Sequence, residues 1–63
     1  MNELKGKYKI MQDMIMEGEI DLVKFESGNN SAGTRVRKNM QAIKNMAQEI
    51  RLEVQQIKNS VTA

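Results

Sequence analysis

Arg37, Lys44, Arg51 and Lys58 recur every seven residues, and Arg35 and Lys38 flank the first of them. Seven residues are close to two turns of α-helix, so on a helix these four cations line one edge as a ladder. The chemistry such a ladder offers is attraction for phosphates, through Coulomb forces and counterion release, with arginine adding bidentate contacts. It would hold a nucleic-acid backbone and carry little sequence information. Arg35, Arg37, Lys38, Lys44, Arg51 and Lys58 are therefore the candidate nucleic-acid-binding residues. The same residues also fit the ordinary solvated flanks of a coiled coil, a reading that explains Arg35, Lys38, Arg51 and Lys58 least well.

Other chemistry has little to work with. The 63 residues include no Cys and no His, which removes disulfides, thiolate nucleophiles, zinc sites and the commonest general base. No glycine-rich phosphate loop, no paired acidic site with ligand spacing and no nucleophile beside a base is visible. The expectation is a protein with no catalytic residues, no metal, no cofactor and no small-molecule substrate. The charge is also uneven. Residues 1–34 hold four Lys against six Asp or Glu, whereas residues 35–63 hold six Lys or Arg against two Glu. The basic half is the second half.

The opening Met1-Asn2-Glu3-Leu4-Lys5 lacks the apolar run of a secretory signal, and no stretch approaches the roughly 20 apolar residues that cross a bilayer. A cytoplasmic protein without a membrane partner is expected, associated with nucleoid or ribosome.

The elements that must carry the ladder are helices. Proline is absent, and Ser27-Gly28-Asn29-Asn30-Ser31 gathers the residues that tolerate positive φ or bond their own backbone. One domain over residues 1–63 is expected: helix at about 3–26, turn at 27–31 with Asn30 or Ser31 as cap, and helix at about 32–60. After the turn, Val36, Met40, Ile43, Ala47, Ile50, Val54, Ile57 and Val61 alternate at intervals of four and three. That is a coiled-coil seam, with Val36 at heptad position d. Before the turn, Leu4, Tyr8, Met11, Ile15, Gly18, Leu22 and Phe25 keep the same spacing, with Gly18 as the member lacking a side chain.

The predicted fold class is thus all-α, an antiparallel two-helix hairpin, coiled-coil-like, with dimerisation into a four-helix bundle as one way to cover its remaining apolar surface. Facing the two seams gives e pairs Glu26 with Arg37, Glu19 with Lys44, Gln12 with Arg51 and Lys5 with Lys58. The g pairs are Asp21 with Asn39, Met14 with Met46 and Lys7 with Glu53. Tyr8 and Phe25 fall on the seam, as core rather than as platforms for bases. Met16, Ile20, Val23 and Leu52 lie off the seam and suggest a second contact surface. A chain this short buries only roughly 60% of its unfolded surface, so a partner is expected.

The stretch from Phe25 through Ser27-Gly28-Asn29-Asn30 and Arg35-Val36-Arg37-Lys38, continued by Ala47-Gln48-Glu49-Ile50-Arg51-Leu52-Glu53, resembles the bacterial linker-histone-like family. This Hc-type family was described first in chlamydiae and has short relatives in Bacteroidetes. The resemblance covers roughly residues 22–58. It implies a nucleoid-associated role and DNA as the nucleic acid, with Arg35, Arg37, Lys38 and Arg51 at matching motif positions. Longer members carry a lysine- and alanine-rich tail expected to condense DNA, whereas this sequence ends Asn59-Ser60-Val61-Thr62-Ala63 as in a short, tail-less member. Two alternatives stay open: an accessory protein on structured RNA such as the ribosome, and a coiled-coil adaptor between proteins.

Overall fold

The computed structural model describes residues 3–62, with side chains as far as Ser60. Two helices, α1 (Leu4–Glu26) and α2 (Asn30–Thr62), form an antiparallel hairpin. The turn between them is built twice over. Gly28, at φ 107°, takes the left-handed conformation that residues with a Cβ resist. Its N–H donates to the Phe25 carbonyl at 3.0 Å and the Asn29 N–H donates to the Lys24 carbonyl at 3.0 Å, the two bonds of a Schellman motif. Asn29 then caps α2: its Oδ1 accepts from the Ala32 N–H at 3.2 Å and from the Ser31 hydroxyl at 2.8 Å. The cap therefore falls one residue before Asn30. One asparagine ends the first helix and starts the second.

The facing surfaces depart from the predicted seam. The less exposed residues of α1 are Leu4, Lys7, Met11, Met14, Gly18 and Asp21, and those of α2 are Ala32, Gly33, Val36, Asn39, Ile43, Met46, Ala47, Ile50 and Glu53. All but the small residues Gly33 and Ala47, at a, are d and g positions. Each helix is rolled so that its g flank enters the contact and its a residues turn outward: Tyr8 is 56% exposed, Ile15 51% and Met40 50%. Tyr8 and Phe25 are consequently not core residues, as the period alone suggested. Phe25 lies across the first turn of α2, its ring 2.7 Å from where a Gly33 Cβ would stand, yet remains 46% exposed.

The cause of the roll is the gap in the first seam. Gly18 lets α2 approach until the Asn39 carboxamide sits against the α1 backbone, with Oδ1 in the place a Gly18 Cβ would occupy and Cγ 2.8 Å from that point. Asn39 Nδ2 donates to the Met14 carbonyl at 2.9 Å. Asn39 Oδ1 is buried without a conventional donor. Two ion pairs close the same flank: Lys7 Nζ donates to Glu53 Oε1 at 2.7 Å, and Arg35 Nε donates to Asp21 Oδ1 at 2.9 Å.

Little apolar surface is removed from water. Among the described residues only Ala32 and Ile50 are buried hydrophobes, and no large side chain is fully enclosed. The accessible surface is 5188 Å², against about 4,100 Å² for a compact monomer of this mass. The radius of gyration is 15.3 Å, where a globular chain of this length has roughly 11 Å. The molecule is a rod.

Candidate nucleic-acid interface

The roll that turns the g flanks inward sets where each charged group of α2 points. Positions e, b and f share the outward side of the helix. The e row is Arg37, Lys44, Arg51 and Lys58; Lys38 is at f; Thr34, Gln41, Gln48 and Gln55 fill b, and all are exposed. The e row extends about 31 Å from Arg37 to Lys58 at 1.5 Å per residue. That is nearly one turn of duplex DNA, about 34–36 Å. Neither acidic residue of α2 lies on this side. Glu49 and Glu53 both turn to the opposite flank, where Lys7 meets them at 3.7 and 2.7 Å. Lys7 is held above the ordinary lysine pKa, first by its hydrogen bond to Glu53 and then by the charges of Glu53, Glu49 and Glu3, with partial burial acting in opposition.

The outward side is consequently made of cations, amides and a hydroxyl, interrupted by the exposed Leu52 at f. Its amides are tied along the helix, Gln41 to Asn45 at 3.4 Å and Gln55 to Asn59 at 3.3 Å, and Arg51 Nη1 donates to Gln48 at 3.0 Å. Thr34, Arg37, Lys38 and Gln41 surround a shallow depression near the start of α2. Two positive charges, a hydroxyl and an amide there match the requirements of a phosphate. Thr34 and Gln41 are absent from the residues singled out by charge; their spacing of three and four from Arg37 and Lys38 is the signal that finds them.

Not every predicted residue joins this side. Arg35, which the charge pattern gives no acidic neighbour, stands at c on the opposite flank, paired with Asp21 and 48% exposed in its side chain. The predicted e pairs Glu26 with Arg37 and Glu19 with Lys44 are not formed among the described residues, because the roll draws the e flanks apart. The g pair Lys7 with Glu53 is formed, whereas Asp21 takes Arg35 and leaves Asn39 to the Met14 carbonyl. At the start of α2 the Asn29 cap engages the Ala32 N–H, which is therefore not open to an anion.

Among the described residues no group of three or more potential ligands is placed to hold a metal, and no helix is long and apolar enough to cross a membrane. No curated protein and no solved structure gives a significant match to the chain. A family model does: that of the histone H1-like protein Hc1, over residues 5–60, which takes in nearly all of both helices and every cation of the outward side of α2. The chain belongs to this histone H1-like family.

Proposed function

We propose that the protein is a non-enzymatic, nucleoid-associated DNA-binding protein that holds the phosphate backbone along the outward side of α2. The observation that carries this reading is the sorting of charge on that helix: six cations and two acids, with both acids turned to the far flank and matched there by Lys7. Membership of the histone H1-like family supports DNA as the target. The contacting residues are Arg37, Lys38, Lys44, Arg51 and Lys58, with Thr34 and Gln41 adding neutral donors to the phosphate seated between Arg37 and Lys38. Arg35 contributes field rather than contact, because Asp21 holds its guanidinium.

Binding of this kind is insensitive to base sequence and sensitive to salt. The test is titration of labelled duplexes of unrelated sequence, and of a folded RNA of equal length, over a series of salt concentrations. Each phosphate contact contributes about 0.9 to the slope of log affinity against log salt. Lys38→Ala and Arg51→Ala should each lower that slope by about this amount, while Lys9→Ala, on the outer side of α1, leaves it unchanged. Equal slopes for all three variants would refute the site. Salt-resistant binding would refute the phosphate mechanism, and preference for the folded RNA would move the target from DNA to RNA.

A further inference from the structure

We propose that Thr34 is a phosphorylation site whose phosphate occupies the depression between Arg37 and Lys38 in place of a DNA phosphate, releasing the turn end of α2 from the duplex. The inference rests on the DNA-binding reading of that side of the helix. Ser27, Ser31 and Thr34 are the hydroxyls at the turn end of the hairpin. Ser27 donates to the Val23 carbonyl at 3.0 Å and Ser31 donates to Asn29 Oδ1 at 2.8 Å, so both are engaged in closing the turn. Thr34 is exposed on the outward side of α2, and among the described residues its hydroxyl has no hydrogen-bond partner. It is the hydroxyl left open to chemistry.

The depression beside it suits the group that phosphorylation adds. Thr34, Arg37, Lys38 and Gln41 line it, and no carboxylate does. Residues three and four apart on a helix are neighbours on its surface, so Arg37 and Lys38 both lie within one turn of Thr34. A phosphate esterified to Thr34 is thus tethered beside a guanidinium and an ammonium, the donors that bind phosphate most strongly. It brings a charge of about −1.5 to −2, which leaves the two cations close to neutralised. A DNA phosphate arriving there meets an occupied site and a like charge.

The segment is also open to a modifying enzyme. Thr34 is the fifth residue of α2, and the end of a helix opens at lower cost than its middle. Gly33 beside it weakens the helix locally, and the Phe25 ring leaves no room there for a Cβ. The step is a phosphoryl transfer from a nucleoside triphosphate held by a protein kinase. The Thr34 hydroxyl oxygen bonds to the γ-phosphorus, the bond from that phosphorus to the diphosphate breaks, and the hydroxyl proton passes to a base of the kinase. The nucleoside diphosphate leaves.

A chain of 63 residues can be made by chemical synthesis, so the form carrying phosphothreonine at position 34 is compared directly with the unmodified form. On a duplex at low salt the phosphorylated chain should bind about tenfold more weakly, and its slope of log affinity against log salt should be shallower by about 1.8, the value for two phosphate contacts. Equal affinities and slopes would overturn the proposal. Failure of the unmodified chain to bind would refute the DNA-binding reading instead, and the release from DNA with it. Circular dichroism should give the same helix content for both forms; a loss of helix on phosphorylation would make the weaker binding an effect of unfolding and overturn the mechanism. Phosphorus-31 NMR without DNA reads the occupancy itself. Arg37 and Lys38 should lower the second ionisation of the phosphate below its ordinary value of about 6, and Arg37→Ala with Lys38→Ala should return it; an unshifted ionisation would place the phosphate outside the depression. Mass spectrometry of the protein taken from its own cells at successive growth phases should find phosphate on Thr34, and its absence throughout would refute the modification.

Discussion

Gly18 and Asn39 show how one missing side chain redirects a whole helix face. By intrinsic propensity, alanine at position 18 would favour α1 by about 1 kcal/mol. In the hairpin its Cβ would collide with Asn39 Oδ1 and Cγ and displace the amide from the Met14 carbonyl. Gly18→Ala is therefore expected to lower stability by about 1–2 kcal/mol net, read as a reduced midpoint in thermal unfolding followed by circular dichroism. Combining it with Asn39→Ala should recover much of that loss, since nothing remains to collide; additive losses would show that the contact is not the cause. Lys7 gives a second test at this scale. Its folded pKa is raised, so the stabilisation from its pairing is complete below the unfolded lysine value of 10.5 and fades as pH climbs through the higher folded value. Helix content should show an alkaline loss above that value which Lys7→Gln abolishes, leaving a curve flat in that step.

At the scale of the elements, the sequence announces the two helices and their turn because Ser, Gly and Asn cluster in one place and a heptad pattern runs out on either side. It does not announce which side of each stripe faces the partner. Heptad spacing places Leu4, Met11, Gly18 and Phe25 in one row, but a and g lie on either side of d, and only the depth available at Gly18 decides between them. Tyr8 was therefore read as core and is on the surface. The same ambiguity hid the pairing of Arg35 with Asp21, since a c position meets a g position only after the roll. The charge ladder, by contrast, was legible, because an edge defined by a seven-residue interval survives any rotation of the helix. The turn makes its own prediction. Gly28→Ala should cost about 1–2 kcal/mol for the left-handed residue, and Asn29→Ala about 1 kcal/mol for the cap, each read as a lower unfolding midpoint. Asn30→Ala should cost less than either, because the cap is Asn29.

For the whole molecule, a rod in which Ala32 and Ile50 are the buried hydrophobes among the described residues should gain stability from a ligand that binds its folded form. Its unfolding midpoint should rise with duplex DNA at low salt, and a midpoint indifferent to the duplex would count against the proposed binding. The family's histone-like character and the sorted charge of α2 then describe one object: a thin helical rod with one basic side.

The turning of Glu49 and Glu53 toward Lys7 has a consequence for how the molecule travels. Its net charge is only +2, too small to draw it strongly toward a polyanion as a sphere would be drawn. Yet α2 carries +4 and α1 carries −1, so the rod has a transverse dipole. In the field of a nearby duplex it experiences a torque before it experiences contact, and it rotates about its long axis until the basic side leads. Productive collisions should therefore outnumber those of an evenly charged rod of the same net charge, with an association rate that falls steeply as ions shorten the reach of that torque.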